Sequence, residues 1–252
     1  MAVWYPLALS RSLPVVLGGL LVLGGCATKS RSSSRAEVIK QILPSTVQLR
    51  CERDSGDRRA ASGVVLARDV SRRRTWIVTT RHFVEPVTPQ KLFVTFAGAK
   101  ARSAAKLVKL SEGSDLALLE VEGLEAAPVR LKDSVALGDE VWVVAYPWGR
   151  RMTLSNGVIS QIVRDDADTV YEGPARMVDV SVSYGASGGG VFDVTTGALV
   201  GLVEGYRTAK MTPKATPDSV IEIPIAGETT LISAEAIRRF VVEAGLGSFL
   251  ER

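Results

Sequence analysis

SVSYGASGGGVFD, Ser181 to Asp193, sets Ser187 among four glycines and then runs on as an apolar strand. Three readings are open for such a bend: a nucleophile on a turn, a phosphate cradle, or a plain tight turn between strands. A P-loop needs Gly-Lys-Ser/Thr opening a helix, and a dinucleotide fingerprint needs strand, turn and helix in succession. Here Val191 and Phe192 continue as strand and no lysine is in reach, so the phosphate reading fails. Strand following turn without a helix also points to antiparallel sheet rather than βαβ units.

The neighbouring sequence repeats this rhythm. From Thr46 to Ile225 it reads as twelve short strands: TVQLRC, SGVVLA, TWIVTT, KLFVTFA, AKLVKL, LALLEV, EVWVVAY, GVISQIV, ARMVDVSV, GGGVFDV, ALVGLVEGY and VIEIPI. Such a series indicates an all-β body closed into barrels or a sandwich. Helices flank it. AEVIKQIL places Val38, Ile39, Ile42 and Leu43 on one face before Pro44. SAEAIRRFVVEAG has Ser233 as N-cap, Glu235 in the first turn and Gly245 as terminator, predicting a helix over about 233–245.

The N-terminus is of different material. Residues 1–25 carry one charged side chain, Arg11, and an apolar stretch from Leu13 to Leu23, and LGGC ends at Cys26. That stretch is shorter than the roughly 20 apolar residues a spanning helix needs, and it fits a secretory signal. Leu23-Gly24-Gly25-Cys26 resembles the lipobox of bacterial lipoproteins, which implies cleavage before Cys26 and a diacylglycerol on its sulfur. An uncleaved membrane anchor is the alternative. Either way the rest of the chain is expected to be exported and tethered, with residues 26–35 as a polar spacer and the folded region over 36–250. Ala27 after the cysteine, by resemblance to the lipoprotein sorting rule, implies the outer membrane, facing the periplasm.

Composition narrows the function classes. The 252 residues, 46% of them hydrophobic, suffice for a full core without staples. With Cys26 lipidated, Cys51 is left alone, so no internal disulfide is expected. Lys and Arg exceed Asp and Glu by only 31 to 27, and apart from Arg72–Arg74 no basic run stands out, so nucleic acid is not an expected partner. One histidine and one remaining thiol build no usual zinc site, and neither metal nor cofactor is expected.

A serine hydroxyl is scarcely ionised at neutral pH. As a nucleophile it needs a base, a group to fix that base's tautomer, and backbone donors for an oxyanion. The only histidine, His82, stands at a strand end in TWIVTTRHFV, and Asp115 directly precedes the strand LALL. His82, Asp115 and Ser187 follow in the order His, Asp, Ser, with spacings of 33 (115 − 82) and 72 (187 − 115). This is the chain order of one of the convergent triads. The N–H groups of Gly185 and Ser187 are positioned in sequence to converge on one oxygen. A plain-turn reading has to treat the single histidine and the ordered aspartate as coincidence.

VTTRHFV, SDLALL and GASGGG together resemble the three signatures of trypsin-like (chymotrypsin-fold) serine endopeptidases, in the Deg/HtrA-like bacterial branch. The resemblance runs from about Thr46 to Ile225 and includes SGVVLA, VVAYPWGRRMTLSNGVIS and GALVGLVEGY. It implies two six-stranded antiparallel barrels, about 46–140 and 141–225, with the site between them. It further implies His82 as general base, Asp115 as its orienting acid, Ser187 as nucleophile, Gly185 and Ser187 N–H as oxyanion hole, and protein or peptide substrates. Pocket walls are implied around Ser181 and Val182, and around Val203, Glu204 and Gly205. Ser181 stands where a basic-specific enzyme has Asp, so a small or medium apolar residue is the expected preference, with Glu204 keeping a basic alternative open.

Two residues depart from the family's pattern. Ala186 replaces the usual Asp or Asn before the serine, which argues against activation by a freshly cut N-terminus. Arg81 precedes the histidine where small or polar residues are usual; facing inward it would disfavour a protonated imidazole, so it is expected to face solvent. The sequence reaches Arg252 soon after the helix, so the PDZ domain many Deg/HtrA-like proteins carry is not expected. The alternative function is a catalytically silent trypsin-like fold serving as an envelope binding or scaffolding module. No oligomeric state follows from the sequence.

Overall fold

A computed structural model of the chain describes Met1 and residues 34–123, 126–163, 171–212 and 220–250. All but Met1 fall within one compact unit, Ser32–Arg252. The expected export signal, Cys26 and nearly all of the spacer lie outside the described residues.

The first barrel closes from β1 (Thr46–Arg53), β2 (Arg58–Asp69), β3 (Arg74–Thr79), β4 (Gln90–Thr95), β5 (Ser103–Leu110) and β6 (Ala117–Glu122), in the order β1-β2-β3-β6-β5-β4. After the short strand β7 (Val135–Ala136) come β8 (Glu140–Ala145) and β9 (Thr153–Ile162). Then follow β10 (Glu172–Gly173), β11 (Ala175–Val178), β12 (Gly190–Asp193), β13 (Leu199–Met211) and β14 (Ile221–Ser233). β7 and β10 pair as a small ribbon, and the remaining six close the second barrel as β11-β14-β13-β12-β8-β9. These are the two six-stranded antiparallel barrels that the resemblance implies.

The apolar runs are nearly continuous because the strands between the barrels bury both faces. On β2, Val65 enters the first barrel's core while Val64 and Leu66 point to a core shared between the barrels. On β8, Val141, Val143 and Ala145 fill the second barrel, and Trp142 and Val144 join the shared core. Side chains alternate faces along a strand, so a strand with a barrel behind and a barrel in front carries no polar face. Phe192 of β12 is fully buried in the shared core; truncating a phenylalanine in such a place costs about 3–5 kcal/mol.

The flanking helices cap that core. α1 (Arg35–Ile42) starts at Ser34, whose hydroxyl accepts from Glu37 N at 3.3 Å while Ser34 N donates to Glu37 Oε2 at 2.6 Å. Val38 and Ile42 are buried and Ile39 and Leu43 pack against them, as their spacing predicts. α2 is the single turn Arg81–Val84. α3 (Ala234–Glu243) is capped by Ser233 Oγ accepting from Ala236 N at 3.3 Å, and it buries Ile237, Phe240 and Val241.

The structure corrects two expected boundaries. The second barrel does not end near Ile225: β14 continues to Ser233 and runs straight into α3. The sequence places VIEIPI at its start, but the stretch that closes the barrel is Thr229–Ser233, paired with Gly201–Tyr206 of β13. Conversely, ARMVDVSV is strand only over Ala175–Val178. At Asp179 the ladder becomes irregular: its N still donates to Val158 O at 3.2 Å, but Val158 N is taken by Asp179 Oδ1 at 2.7 Å in place of a backbone carbonyl.

Candidate active site

Register brings the histidine and the aspartate together. β3 pairs antiparallel with β6, Thr79 opposite Ala117, so the chain leaving β3 lies beside the chain entering β6. His82 N donates to Asp115 Oδ1 at 2.8 Å, and His82 Nδ1 lies 2.6 Å from Asp115 Oδ2. A carboxylate accepts only, so Nδ1 carries the proton and Nε2 is left with its lone pair. The backbone repeats the link, with Arg81 N donating to Asp115 O at 3.1 Å.

Arg81 does not simply face solvent, as expected. Its Nε donates to Glu85 Oε1 and its Nη1 to Ser111 O, both at 2.6 Å. Ser111 begins the turn that carries Asp115, so the guanidinium braces that turn, and none of its hydrogen bonds goes to the imidazole.

Ser187 sits on a turn held from both barrels. From the second, Gly188 N donates to Val203 O at 2.7 Å and Gly189 N to Ala186 O at 2.8 Å. From the first, Ser62 N donates to Ser187 O at 2.8 Å and Ser62 Oγ to Gly185 O at 2.9 Å. Gly188 has φ +79°, and a Cβ there would meet Ser62 O at 2.1 Å, so only glycine fits. Ala186, where the family usually has Asp or Asn, is buried in the second barrel's core. A carboxylate there would need a cationic partner, and methyl needs none.

The two amides expected to hold an oxyanion are aimed by the carbonyls of their own peptide units. In a trans peptide N–H and C=O point in opposite directions. Tyr184 O accepts from Trp148 N at 2.6 Å, which turns the Gly185 N–H away from that clamp; Ala186 O, held by Gly189 N, does the same for Ser187 N–H. Among the described residues neither amide donates to a protein acceptor.

A cavity of about 120 Å³ lies beside them, lined by Arg59, Ala60 and Ala61 of β2, His82 and Phe83 of α2, and Tyr184, Gly185 and Ser187 of the turn. His82 and Ser187 thus share one cavity, and no hydrogen bond joins their side chains.

The five residues expected to wall a substrate pocket are not among those lining this cavity. Val203 has its side chain fully buried in the second barrel's core. Val182 packs against the same core, and Ser181 Oγ accepts from Gly227 N at 3.2 Å. Glu204 falls at the register shift between Val203 and Gly205, where β13 slips against β14. Sequence reasoning missed Ser62, Arg59, Trp148 and Tyr184. Their signals were slight: a serine opening an apolar run, and Pro-Trp-Gly as a turn.

The family model described as a trypsin-like peptidase domain matches residues 61–202, more than half of the chain. The chain is 31% identical over 159 residues to the magnetosome formation protease MamE of Paramagnetospirillum magneticum, covering 60% of this chain and 20% of that protein. It is 28% identical over 168 residues to a probable periplasmic serine endoprotease, DegP-like, of Pseudomonas fluorescens, covering 66% and 33%. The chain therefore spans a fifth to a third of the length of these relatives. The fold is similar to that of the HtrA-type protease AlgW with tripeptide, at a TM-score of 0.62 and 19% identity, over 86% of this chain and 64% of that one. The serine endoprotease from Yersinia pestis gives the same TM-score at 20% identity, covering 85% and 67%.

Proposed function

The chain belongs to the trypsin-like peptidase family, and on that premise we propose that it is a serine endopeptidase working through His82, Asp115 and Ser187. One observation carries the reading: His82 Nδ1 donates a hydrogen bond to Asp115 Oδ2 at 2.6 Å, while among the described residues its other nitrogen has no partner, in a ring that shares a cavity with Ser187.

In this mechanism Nε2 takes the Ser187 proton as Oγ attacks the substrate carbonyl. The imidazolium that forms is stabilised by Asp115 and returns its proton to the leaving amine. The developing oxyanion accepts from Gly185 N–H and Ser187 N–H, whose directions are fixed before substrate arrives. Removing one such donor typically costs about 10²–10³ in kcat. Water then releases the acyl group from Ser187. On the acyl side we propose a small or medium apolar residue, because Ser181 stands where a basic-specific enzyme has Asp, with a basic residue as the alternative that Glu204 keeps open.

The proposed setting is the periplasm, where the DegP-like relatives are described as acting, with the chain held by lipid on Cys26. Residues 1–25 would then be the signal, 26–35 the tether and 36–250 the protease domain.

The purified chain should be labelled covalently by a fluorophosphonate probe, and the Ser187→Ala variant should not. Absence of labelling in folded wild-type protein would replace this reading with the silent binding module. For the tether, Cys26→Ser should release the protein from membranes, whereas retention would favour an uncleaved anchor.

A further inference from the structure

Trp148 adopts a backbone conformation that bulky side chains avoid. Its φ of 57° and ψ of 16° lie in the left-handed region. The surroundings enforce it: Trp148 N donates to Tyr184 O, Gly149 N to Tyr146 O at 2.9 Å, and Gln48 Nε2 to Gly149 O at 2.8 Å. Yet the clamp on Tyr184 uses only a backbone N–H, and glycine would supply that N–H without strain. The indole must therefore serve some other purpose, and it is not a core residue.

Its position suggests what that is. Trp148 is 63% exposed and Tyr184 47% exposed. Their rings lie 5.3 Å apart at 41°, in the range of favourable aromatic pairing. Tyr184 lines the cavity beside Ser187, and the Trp148 ring packs on the Tyr184 ring without itself lining that cavity. An exposed aromatic pair held at a strained turn next to reacting groups is an arrangement found where ligands are gripped.

The chemistry of the site decides which part of a substrate would enter. The carbonyl oxygen must face Gly185 and Ser187 N–H, and the leaving nitrogen must lie within reach of His82, which protonates it. A cavity walled by His82, Phe83, Ala60 and Tyr184 accordingly receives the leaving-group side. Those walls are largely apolar. Arg59, at the same cavity, is already engaged: its Nη1 donates to Glu85 O at 2.8 Å and His82 O at 3.2 Å. This leaves a wall better suited to a ring or branched chain than to a carboxylate.

We propose that the cavity walled by Tyr184, whose ring Trp148 holds in place, receives the residue immediately after the cleaved bond, and that this residue is aromatic or large and apolar. The proposal rests on the serine-endopeptidase reading above and adds the substrate class on its leaving side.

Partitioning of the acyl-enzyme tests it. Full-length protein is acylated with p-nitrophenyl acetate in the presence of phenylalaninamide, leucinamide or glycinamide. The amine nitrogen bonds to the acyl carbon as the ester bond to Ser187 Oγ breaks, and the amine's proton passes through His82 to Oγ. In wild type the two large amides should intercept the acyl group roughly ten-fold better than glycinamide, the scale of discrimination an apolar pocket provides. Trp148→Gly, which suits the left-handed turn and keeps the clamping N–H, should bring that ratio close to one, as should Tyr184→Ala; Tyr184→Phe should retain it. A ratio near one in wild type that a fluorophosphonate labels, or an unchanged ratio in both truncations, overturns the proposal alone. Failure of wild type to label overturns the endopeptidase reading and this proposal with it.

Discussion

Ser62 of the first barrel donates its hydroxyl to the carbonyl of Gly185 in the second, at 2.9 Å, and that hydroxyl is itself paired with Tyr146 N at 2.8 Å. The oxyanion turn is therefore fastened to the barrel that carries His82. Ser62→Ala leaves a buried carbonyl and a buried amide without partners, at about 1–3 kcal/mol each. The expected outcome is a kcat lowered by about one to two orders of magnitude with KM little changed, because the Gly185 carbonyl lies between the two amides proposed to hold the oxyanion and its loosening misplaces them. A variant whose kcat is intact while only its melting temperature falls would show that Ser62 merely holds the barrels together.

Asp115→Asn tests the tautomer. An amide nitrogen facing Nδ1 would force the proton onto Nε2, the atom that must accept from Ser187. In the well-studied digestive enzymes this change lowers kcat by about 10⁴, and a similar loss is expected here. The fluorophosphonate labelling rate is the readout. An unchanged rate would mean that His82 is not oriented by Asp115.

Gly188→Ala should fail more broadly. The methyl would meet Ser62 O at 2.1 Å and Thr79 Oγ1 at 2.4 Å, at a φ of +79°. Ser62 O already accepts from Thr79 Oγ1 at 2.7 Å, so the clash falls on a buried hydrogen bond. Loss of both labelling and several degrees of melting temperature is expected, and a variant that melts and labels like wild type would contradict the described packing.

Much of this fold was legible because two-barrel packing leaves strong traces in sequence. Strands such as EVWVVA and SGVVLA are apolar on both faces, and glycines mark the turns. That His82 meets Asp115 and shares a cavity with Ser187 was legible by chain order, since residues at or near strand ends are brought to one place. The other residues lining the cavity beside Ser187, Arg59, Ala60 and Tyr184 among them, were not. Whether Val203 faces a cleft or a core depends on a register shift at Glu204, which no local pattern encodes. Ser62 was equally hidden, because its partners Gly185, Tyr146 and Ser187 lie far along the chain and bond mainly through backbone. Arg81 was misjudged because, beyond its local i,i+4 partner Glu85, its second acceptor is the Ser111 carbonyl, 30 residues on and brought near only by folding.

Lys132 and Asp193 give a prediction about pH. Asp193 is buried, with Oδ2 2.6 Å from Lys132 Nζ and Oδ1 accepting from Thr195 N and Thr196 N at 3.0 and 2.8 Å. Burial raises its carboxyl, but Lys132 and the Thr196 bonds outweigh this and hold it below the usual range. Burial lowers the Lys132 ammonium, and its carboxylate partners more than offset that, leaving it raised. A depressed carboxyl contributes stability that is complete above its unfolded value of about 3.9 and is lost as pH falls through its folded value. A raised ammonium contributes stability that is complete below about 10.4 and is lost as pH rises through its folded value. The pair should therefore stabilise evenly from about pH 5 to 9 and weaken at both ends. Asp193→Asn keeps an acceptor for the threonine amides and removes the charge. Because Lys132 is a third exposed, the cost should be about 1–3 kcal/mol, below that of a fully buried pair. Thermal melts of wild type and variant should differ by a constant gap between pH 5 and 9, and the gap should begin to narrow as pH falls below about 4. A gap that persists undiminished to pH 3 would mean that the stabilisation comes from packing and not from the ion pair.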